Sequence, residues 1–163
     1  MMREEIKTMA AICGIYCGTC PYYLAPREHD SEQLRKLSRE KGLPIEQIAC
    51  DGCLSERLSP HCVDCRHGFR QCAEEKGVTW CFECPEFPCK GLKEFTNAHS
   101  VNGISHHEHV IEDLQCMKEK GIERWVEKQA KAGRCPQCGK ALYWFSRQCP
   151  VCHTNVRNEA QER

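Results

Sequence analysis

The sequence of 163 residues predicts a small α+β protein that metal ions hold together, and three observations predict this class. First, the chain has 16 cysteines, most of them in Cys-x-x-Cys pairs. Second, Leu, Ile, Val and Phe make up only about 18 % of the residues, which is little for an ordinary core. Third, patterns of short amphipathic helices lie between the cysteine pairs. Since a structural zinc ion contributes roughly 10–16 kcal/mol to the folding of small peptides, metal can replace the missing core.

The cellular compartment decides whether the cysteines are metal ligands or disulfides. Residues 1–7 are charged and lack the apolar core of a signal peptide, and no apolar run approaches the length of a membrane span. These features predict a cytoplasmic protein without membrane association. Because thiols stay reduced in the cytosol, the pairs indicate ligands rather than disulfides.

The numbers of acidic and basic residues indicate which class of partner the protein could bind. Lysine and arginine number 23, the same as aspartate and glutamate. Each four-thiolate site carries a charge of about −2 after its metal ion binds, so we expect the loaded protein to be acidic. Such a protein has little long-range attraction for nucleic acid, which the sequence therefore disfavours as a partner.

The first element is a loop with three cysteines. Cys13, Cys17 and Cys20 have the Cys-x3-Cys-x2-Cys spacing with which radical enzymes that use S-adenosylmethionine hold a four-iron cluster. Those enzymes need a β/α barrel after the motif, whereas here more cysteine pairs follow. The alternatives are a closed zinc site completed by a distant ligand, an open three-ligand zinc site and another iron–sulfur cluster. His61 and His67 are candidate additional ligands.

The next two elements are a helix and the densest cysteine block. A helix is predicted over residues 31–41, with Asp30 or Ser31 as its N-cap and Gly42 at its end. In residues 50–89, the spacing predicts two groups of four ligands, with a short helix over residues 69–76 between the halves. The first group is Cys50, Cys53, Cys62 and Cys65, and the second is Cys72, Cys81, Cys84 and Cys89. The ligands could also interleave between groups, as in cross-braced zinc folds, and the spacing leaves this open.

A helical hairpin is predicted after the block. Ser105 and Glu108 have the spacing of a capping box for the first helix, and the second is predicted over residues 122–132. His106 and His109 are three residues apart, so a metal ion could bridge them; the alternative is a solvent-exposed first turn that also contains His107.

The last element has the spacing of a four-thiolate zinc ribbon. Two Cys-x-x-Cys pairs are separated by ten residues, enough for a hairpin that brings the second pair back to the first. Its ligands would be Cys135, Cys138, Cys149 and Cys152. Between the pairs lie Tyr143, Trp144 and Phe145, near Lys140, Arg147 and Arg157. These aromatic residues could bind a partner or pack over the metal and the hairpin.

These elements predict four parts of the chain. They are a Cys-rich metal-binding domain (1–95), a helical hairpin that packs on it or links it (96–133), the zinc ribbon (134–156) and a disordered tail (157–163).

The motif Cys-Gly-x-Tyr-Cys-Gly-x-Cys-Pro-x-Tyr at residues 13–23, together with the pairs of the dense block and Cys-x-x-Cys-Pro-Glu-Phe-Pro-Cys at 81–89, resembles a cysteine-rich family of unknown function. The resemblance covers about residues 12–95, and members often continue, as here, with Gly-Ile-Glu-x-Trp and a zinc ribbon. It implies metal binding, with zinc or an iron–sulfur cluster as the cofactor, and it implies no particular reaction.

The sequence therefore predicts a zinc-binding structural or adaptor module that presents Tyr143–Phe145 to a protein partner. No set of base, nucleophile and oxyanion donor indicates an enzyme. The alternative is an iron–sulfur redox protein or small metalloenzyme that uses the site at Cys13, Cys17 and Cys20.

Overall fold

A computed structural model describes residues 3–63, 65–98, 100–101 and 103–156, and these ranges contain eight α-helices. The helices are α1 (Arg3–Thr8), α2 (Pro21–Arg27), α3 (Ser31–Lys41), α4 (Pro60–Val63), α5 (Phe69–Lys76), α6 (Lys90–Phe95), α7 (Val110–Lys120) and α8 (Ile122–Ala132). Short 3₁₀ turns occupy Cys17–Thr19, Ile45–Gln47 and Cys81–Glu83. In the described ranges, no helix has both the length and the apolar character needed to cross a membrane. The predicted tail, with Arg157, lies outside these ranges.

The β part of the predicted α+β class requires correction. In the described ranges the extended segments form isolated antiparallel bridges and no strand. The bridges join Ala10 to Tyr16, Val101 to Ile104, Arg134 to Ala141 and Gln148 to Asn155. The reason is that each cysteine turn reverses the chain within a few residues, which leaves its arms too short for a ladder. The fold is therefore mostly helical, with long irregular cysteine-bearing loops.

The helix predicted over residues 31–41 is confirmed as α3. The Asp30 carboxylate caps it by accepting a hydrogen bond from the Gln33 N–H at 3.0 Å. Gly42 ends it at a φ of 65°, in the left-handed region that glycine enters without strain. Leu37 buries the inner face of the helix against Tyr22 and Ile48. The helix predicted over residues 69–76 is likewise confirmed, as α5.

The helical hairpin is confirmed, but α7 begins later than the capping-box pattern predicts. The Ser105 hydroxyl accepts a hydrogen bond from the N–H of His107 at 3.2 Å, which makes a local turn rather than a helix cap. The helix begins only at Val110, so the three histidines precede it. The Trp125 indole then donates to the Asp113 carboxylate at 2.8 Å and joins α8 to α7.

One hydrophobic core joins the N-terminal segment to the hairpin. Leu114 and Val126 have no exposed surface, and Trp125 is 1 % exposed. Gly14 lies beneath α7 with a φ of 94°, and a Cβ there would lie 2.7 Å from the Val110 carbonyl oxygen. Only glycine therefore lets the loop after Cys13 pack this closely against α7.

Replacing Leu114 with alanine is expected to lower the free energy of unfolding by roughly 2–5 kcal/mol, because it leaves a cavity where the hairpin meets the N-terminal segment. Urea denaturation of the metal-loaded protein measures the effect. The control is Ile111→Ala, since Ile111 is only partly buried on the same helix. Equal losses in the two variants would contradict a core centred on Leu114.

Candidate metal centres

Four cysteines in the C-terminal segment, defined as residues 134–156, form a compact group of ligands. The four Sγ atoms, of Cys135, Cys138, Cys149 and Cys152, all lie within 4.8 Å of one another. The Cys135–Cys152 and Cys138–Cys149 pairs are each separated by 3.5 Å. Bonds of about 2.3 Å to a tetrahedral zinc ion separate its sulfur ligands by roughly 3.8 Å. The group therefore fits a metal ion with little movement.

Two similar turns build this group. In the first, the Cys135 N–H donates to the Lys140 carbonyl at 2.8 Å, and Gly139 reverses the chain at a φ of 75°. In the second, the Cys149 N–H donates to the Thr154 carbonyl at 2.9 Å, and His153 takes the same role at a φ of 58°. Each turn therefore holds one Cys-x-x-Cys pair with both sulfurs directed to the same side.

Hydrogen bonds lower the pKa values of the two thiols in the second turn, Cys149 and Cys152. The Thr154 hydroxyl lies 3.3 Å from the Cys152 Sγ, and this hydrogen bond holds the pKa of the Cys152 thiol well below its ordinary value. Backbone N–H groups of Cys152 and Val151 lower the pKa of the Cys149 thiol in the same way. Since the thiolate is the form that binds metal, these donors favour ligation.

The C-terminal segment is docked on the N-terminal half of the chain. The Tyr143 hydroxyl donates to the Asp30 carboxylate at 2.7 Å, and the Trp144 N–H donates to the Thr19 carbonyl at 3.1 Å. Lys140 forms an ion pair with Glu28 at 2.6 Å. Burial and the Asp30 charge raise the pKa of Tyr143, so the hydroxyl keeps its proton at neutral pH. These contacts favour the packing role for Tyr143 and Trp144, which the sequence left as the alternative to partner binding.

Replacing Tyr143 with phenylalanine is expected to loosen this docking without loss of metal. A hydrogen bond to a charged group is worth about 1.5–3 kcal/mol, so amide exchange in the docked segment should accelerate by roughly tenfold or more. Hydrogen–deuterium exchange measures the change, and elemental analysis checks the metal content. The phenyl ring retains the stacking on Phe145, at 5.4 Å in the native chain. Unchanged exchange would show that the hydrogen bond to Asp30 does not hold the segment in place.

The triad, defined as Cys13, Cys17 and Cys20, lies in a tightly held loop at the start of α2. Cys13 and Cys17 are buried and Cys20 is partly buried. The Cys17 N–H donates to the Met9 carbonyl at 2.9 Å. A Cβ on Gly18 would clash with the Tyr16 ring, so the turn closes over this aromatic side chain only because residue 18 is glycine.

Pro26 helps bring Cys50 to the triad. It lies inside α2 and has no N–H to donate to the Tyr22 carbonyl, one helical turn earlier. That carbonyl accepts a hydrogen bond from the Cys50 N–H instead, at 3.0 Å. Cys20 and Cys50 consequently pack in the same cluster. The hydrogen bond that α2 lacks at Pro26 thus allows Cys50 to pack beside Cys20, which is far from it in the sequence.

The opposite side of the triad contacts the second half of the dense block. The Cys81 N–H donates to the Ile12 carbonyl at 3.0 Å, next to Cys13. The Cys53 and Cys81 thiols lie close enough to Cys13 to raise its pKa, although burial contributes most to the shift. Cys62 acts in the same way on Cys20. The triad therefore lies between cysteines of both predicted groups.

Burial keeps the metal-free thiols protonated in this region. It raises the pKa of Cys20 to about 12 and that of Cys53 to about 11. Hydrogen bonds act in the opposite direction, since the N–H groups of Tyr22 and Tyr23 lower the pKa of Cys20. Metal binding here must therefore displace protons. In the described ranges, the compact spacing of the C-terminal ligands is not repeated at these thiols, so binding would also draw them together.

The candidate histidines have mainly aromatic neighbours. The exposed His61 ring stacks on Tyr22 with centroids 6.2 Å apart, and the His67 ring lies 5.0 Å from Phe95. His107 is 5 % exposed and stacks on Phe95 at 4.0 Å, so a solvent-exposed position is wrong for this residue. His106 stacks on Trp144 at 4.2 Å.

Several residues that support the cysteines were not predicted from the sequence. Thr154 stands two positions after Cys152, where its backbone and hydroxyl lie within hydrogen-bonding reach of the sulfur, so its position was a usable sign. Asp30, Thr19 and Pro26 act through contacts between distant segments, and no local pattern marks them.

Comparison with known proteins identifies one family. No curated protein and no solved structure shows significant similarity to the chain. A family profile, described as a protein of unknown function, matches residues 9–94. The matched region includes the triad and the dense block and ends before the hairpin. Because it covers more than half of the sequence, the chain belongs to the DUF3795 family.

Proposed function

We propose that the protein is a structural zinc-binding module in which a zinc ribbon is docked on a cysteine-rich domain that binds further zinc ions. The observation that carries this proposal is the C-terminal group of four sulfur atoms within 4.8 Å of one another. Four protein ligands fill a tetrahedral zinc ion and leave no position for substrate, which is the arrangement of structural rather than catalytic zinc sites.

The second zinc site of this proposal takes ligands from both the triad and the dense block. Its ligands would be Cys17, Cys20, Cys50 and Cys62. The hydrogen bond from the Cys50 N–H to the carbonyl that Pro26 leaves free supports this set. The effects of Cys50 and Cys62 on the pKa values of Cys17 and Cys20 also support it. The arrangement is cross-braced, because a ligand pair from one segment is completed by single cysteines from two others.

The third site would use the second predicted group. Cys81 interacts most strongly with Cys89, Cys72 and Cys84, and burial raises its pKa to about 12. Cys13 and Cys53 then lie between the second and third sites. Either thiol could replace a neighbouring cysteine as a zinc ligand. Zinc binding at these positions would replace the apolar core that the composition lacks.

The adaptor role requires a protein partner, and the docked aromatic residues limit where it can bind. Tyr143 and Trp144 contact the N-terminal half. Phe145 is partly exposed, and Val151 at the second turn is 60 % exposed. We therefore propose Phe145 and Val151 as the residues that contact the partner.

The test is to purify the protein without oxygen, record its visible spectrum and count metals per chain by elemental analysis. We expect a colourless protein with about three zinc ions, one for each proposed site. Replacement of zinc by cobalt should give the intense colour of tetrahedral thiolate coordination. Iron with sulfide, and a brown absorbance near about 400 nm, would instead establish the iron–sulfur alternative at the triad.

A further inference from the structure

A cleft of about 210 Å³ opens where three parts of the chain meet. One wall comes from α2 and the triad loop, the second from the end of α8, and the third from the C-terminal segment. Its apolar lining includes Met9 and Leu24, each 7 % exposed, together with Ala130 and Ala141. None of the cysteines proposed as ligands lines this cleft within the described ranges.

Two side chains that line this cleft, Tyr16 and Arg134, make few hydrogen bonds for the donors that they carry. The Tyr16 hydroxyl has the Met9 thioether as its partner at 3.7 Å, and a thioether sulfur is a weak acceptor. Arg134 donates to the Gly139 carbonyl at 3.0 Å and forms no ion pair with any residue that the structure describes. A Cβ on Gly133 would lie 3.8 Å from the Tyr16 ring, so the phenol ring approaches the chain next to Arg134.

The other charged groups of the cleft have partners of opposite charge. Arg27 pairs with Asp51 at 3.1 Å, although Asp51 also pairs with Arg57 at 2.8 Å, and Glu28 pairs with Lys140 at 2.6 Å. Among the lining residues that the structure describes, Arg134 is therefore the charged side chain without an ion-pair partner. Arginine binds carboxylates with two parallel hydrogen bonds, and a neighbouring tyrosine hydroxyl can donate a third.

We propose that this cleft binds a small monocarboxylate with a short apolar chain. Arg134 and Tyr16 would hold the carboxylate, and Met9 and Leu24 would contact the chain. A water molecule occupies about 30 Å³ in the liquid, so the cleft has room for a ligand of roughly six to eight non-hydrogen atoms. The ligand would touch the triad loop through Tyr16 and Gly18 without replacing a metal ligand. Small-molecule binding is thus a property beyond the structural role proposed above.

The test is an NMR titration of the ¹⁵N-labelled, metal-loaded full chain with butyrate, using butyramide as the uncharged probe of the same shape. Butyrate should shift the amide signals of Tyr16, Gly18 and Arg134 in a saturable way. It should also shift the Trp125 indole signal, because that ring lies 6.0 Å from the Tyr16 ring. We expect a dissociation constant of about 1 mM, since so small a ligand gains little binding energy. Butyramide should produce no saturable shift.

Variants distinguish the site from general charge attraction. Arg134→Gln is expected to weaken butyrate binding about tenfold or more, and Tyr16→Phe about three- to tenfold. Arg124→Gln removes the same charge from an exposed position of α8 outside the cleft, and it should leave binding unchanged. The native spectrum of each variant confirms that it folds.

Three outcomes would overturn the proposal. They are equal shifts with butyramide, an equal effect of Arg124→Gln, and saturable binding of inorganic phosphate but not of butyrate. Each of them can occur while the zinc content stays as proposed, so failure of this site is separate from failure of the structural role.

Discussion

Replacing Cys135 with serine is expected to remove one zinc ion and to unfold the C-terminal segment while the rest of the chain stays folded. Cys135 is 2 % exposed, and its Sγ lies 3.5 Å from that of Cys152. The local core consists of little more than Leu142 packed on the Cys135 and Cys149 sulfurs. With roughly 10–16 kcal/mol of folding free energy attributable to a structural zinc ion, these few apolar contacts cannot hold the segment alone.

Elemental analysis should show a loss of one zinc ion per chain, and hydrogen–deuterium exchange should show residues 134–156 without protection. The control is Cys116→Ser, because Cys116 is a partly buried thiol on α7 outside the proposed ligand sets. It should retain all of its zinc. A full zinc content in Cys135→Ser would show that the C-terminal group is not a metal site.

The Cys135→Ser variant also tests whether docking of the C-terminal segment stabilises the triad loop. When the segment unfolds, the Thr19 carbonyl loses its hydrogen bond from Trp144, and Glu28 loses its ion pair with Lys140. The Glu28–Lys140 pair is partly exposed and contributes little by itself. We therefore expect faster amide exchange in residues 17–24 and no loss of the metal ion proposed for that site.

The C-terminal group of four cysteines could be predicted from the sequence because all four lie within one short segment. Two turns of fixed spacing are enough to bring their sulfurs together, and the structure does so. The surroundings of the triad could not be predicted in this way. The approach of Cys50 to Cys20 depends on the Tyr22 carbonyl, which is available only because Pro26 lacks an N–H group.

The helices also differ in how far local sequence patterns can predict them. Local caps identified α3 and α5, since Asp30, Gly42 and Gly77 mark their ends by side-chain hydrogen bonding or left-handed backbone. No local pattern predicted α2, which has a proline near each end. Pro21 is compatible with the first helical position, and Pro26 is tolerated because Cys50 satisfies the carbonyl that it leaves free.

Replacing Cys17 with serine is expected to release one zinc ion and to destabilise the whole cysteine-rich domain. Cys17 is 9 % exposed, and beside burial the neighbouring thiols of Cys20, Cys53 and Cys50 raise its pKa. In a cross-braced site, one ligand ties together three distant segments of chain. Loss of a zinc ion worth roughly 10–16 kcal/mol is comparable to the whole stability of an ordinary domain, about 5–15 kcal/mol.

Thermal unfolding of Cys17→Ser, followed by circular dichroism and compared with Cys116→Ser, measures this loss, and hydrogen–deuterium exchange locates it in residues 9–94. The C-terminal zinc should remain, because its four ligands are independent of the triad. The opposite outcome is a variant that keeps its fold and its other metal ions and loses only one exchangeable ion or a catalytic activity. Such a variant would make the triad an open site and the protein a small metalloenzyme, since a structural ligand cannot be removed without cost to the segments that it joins.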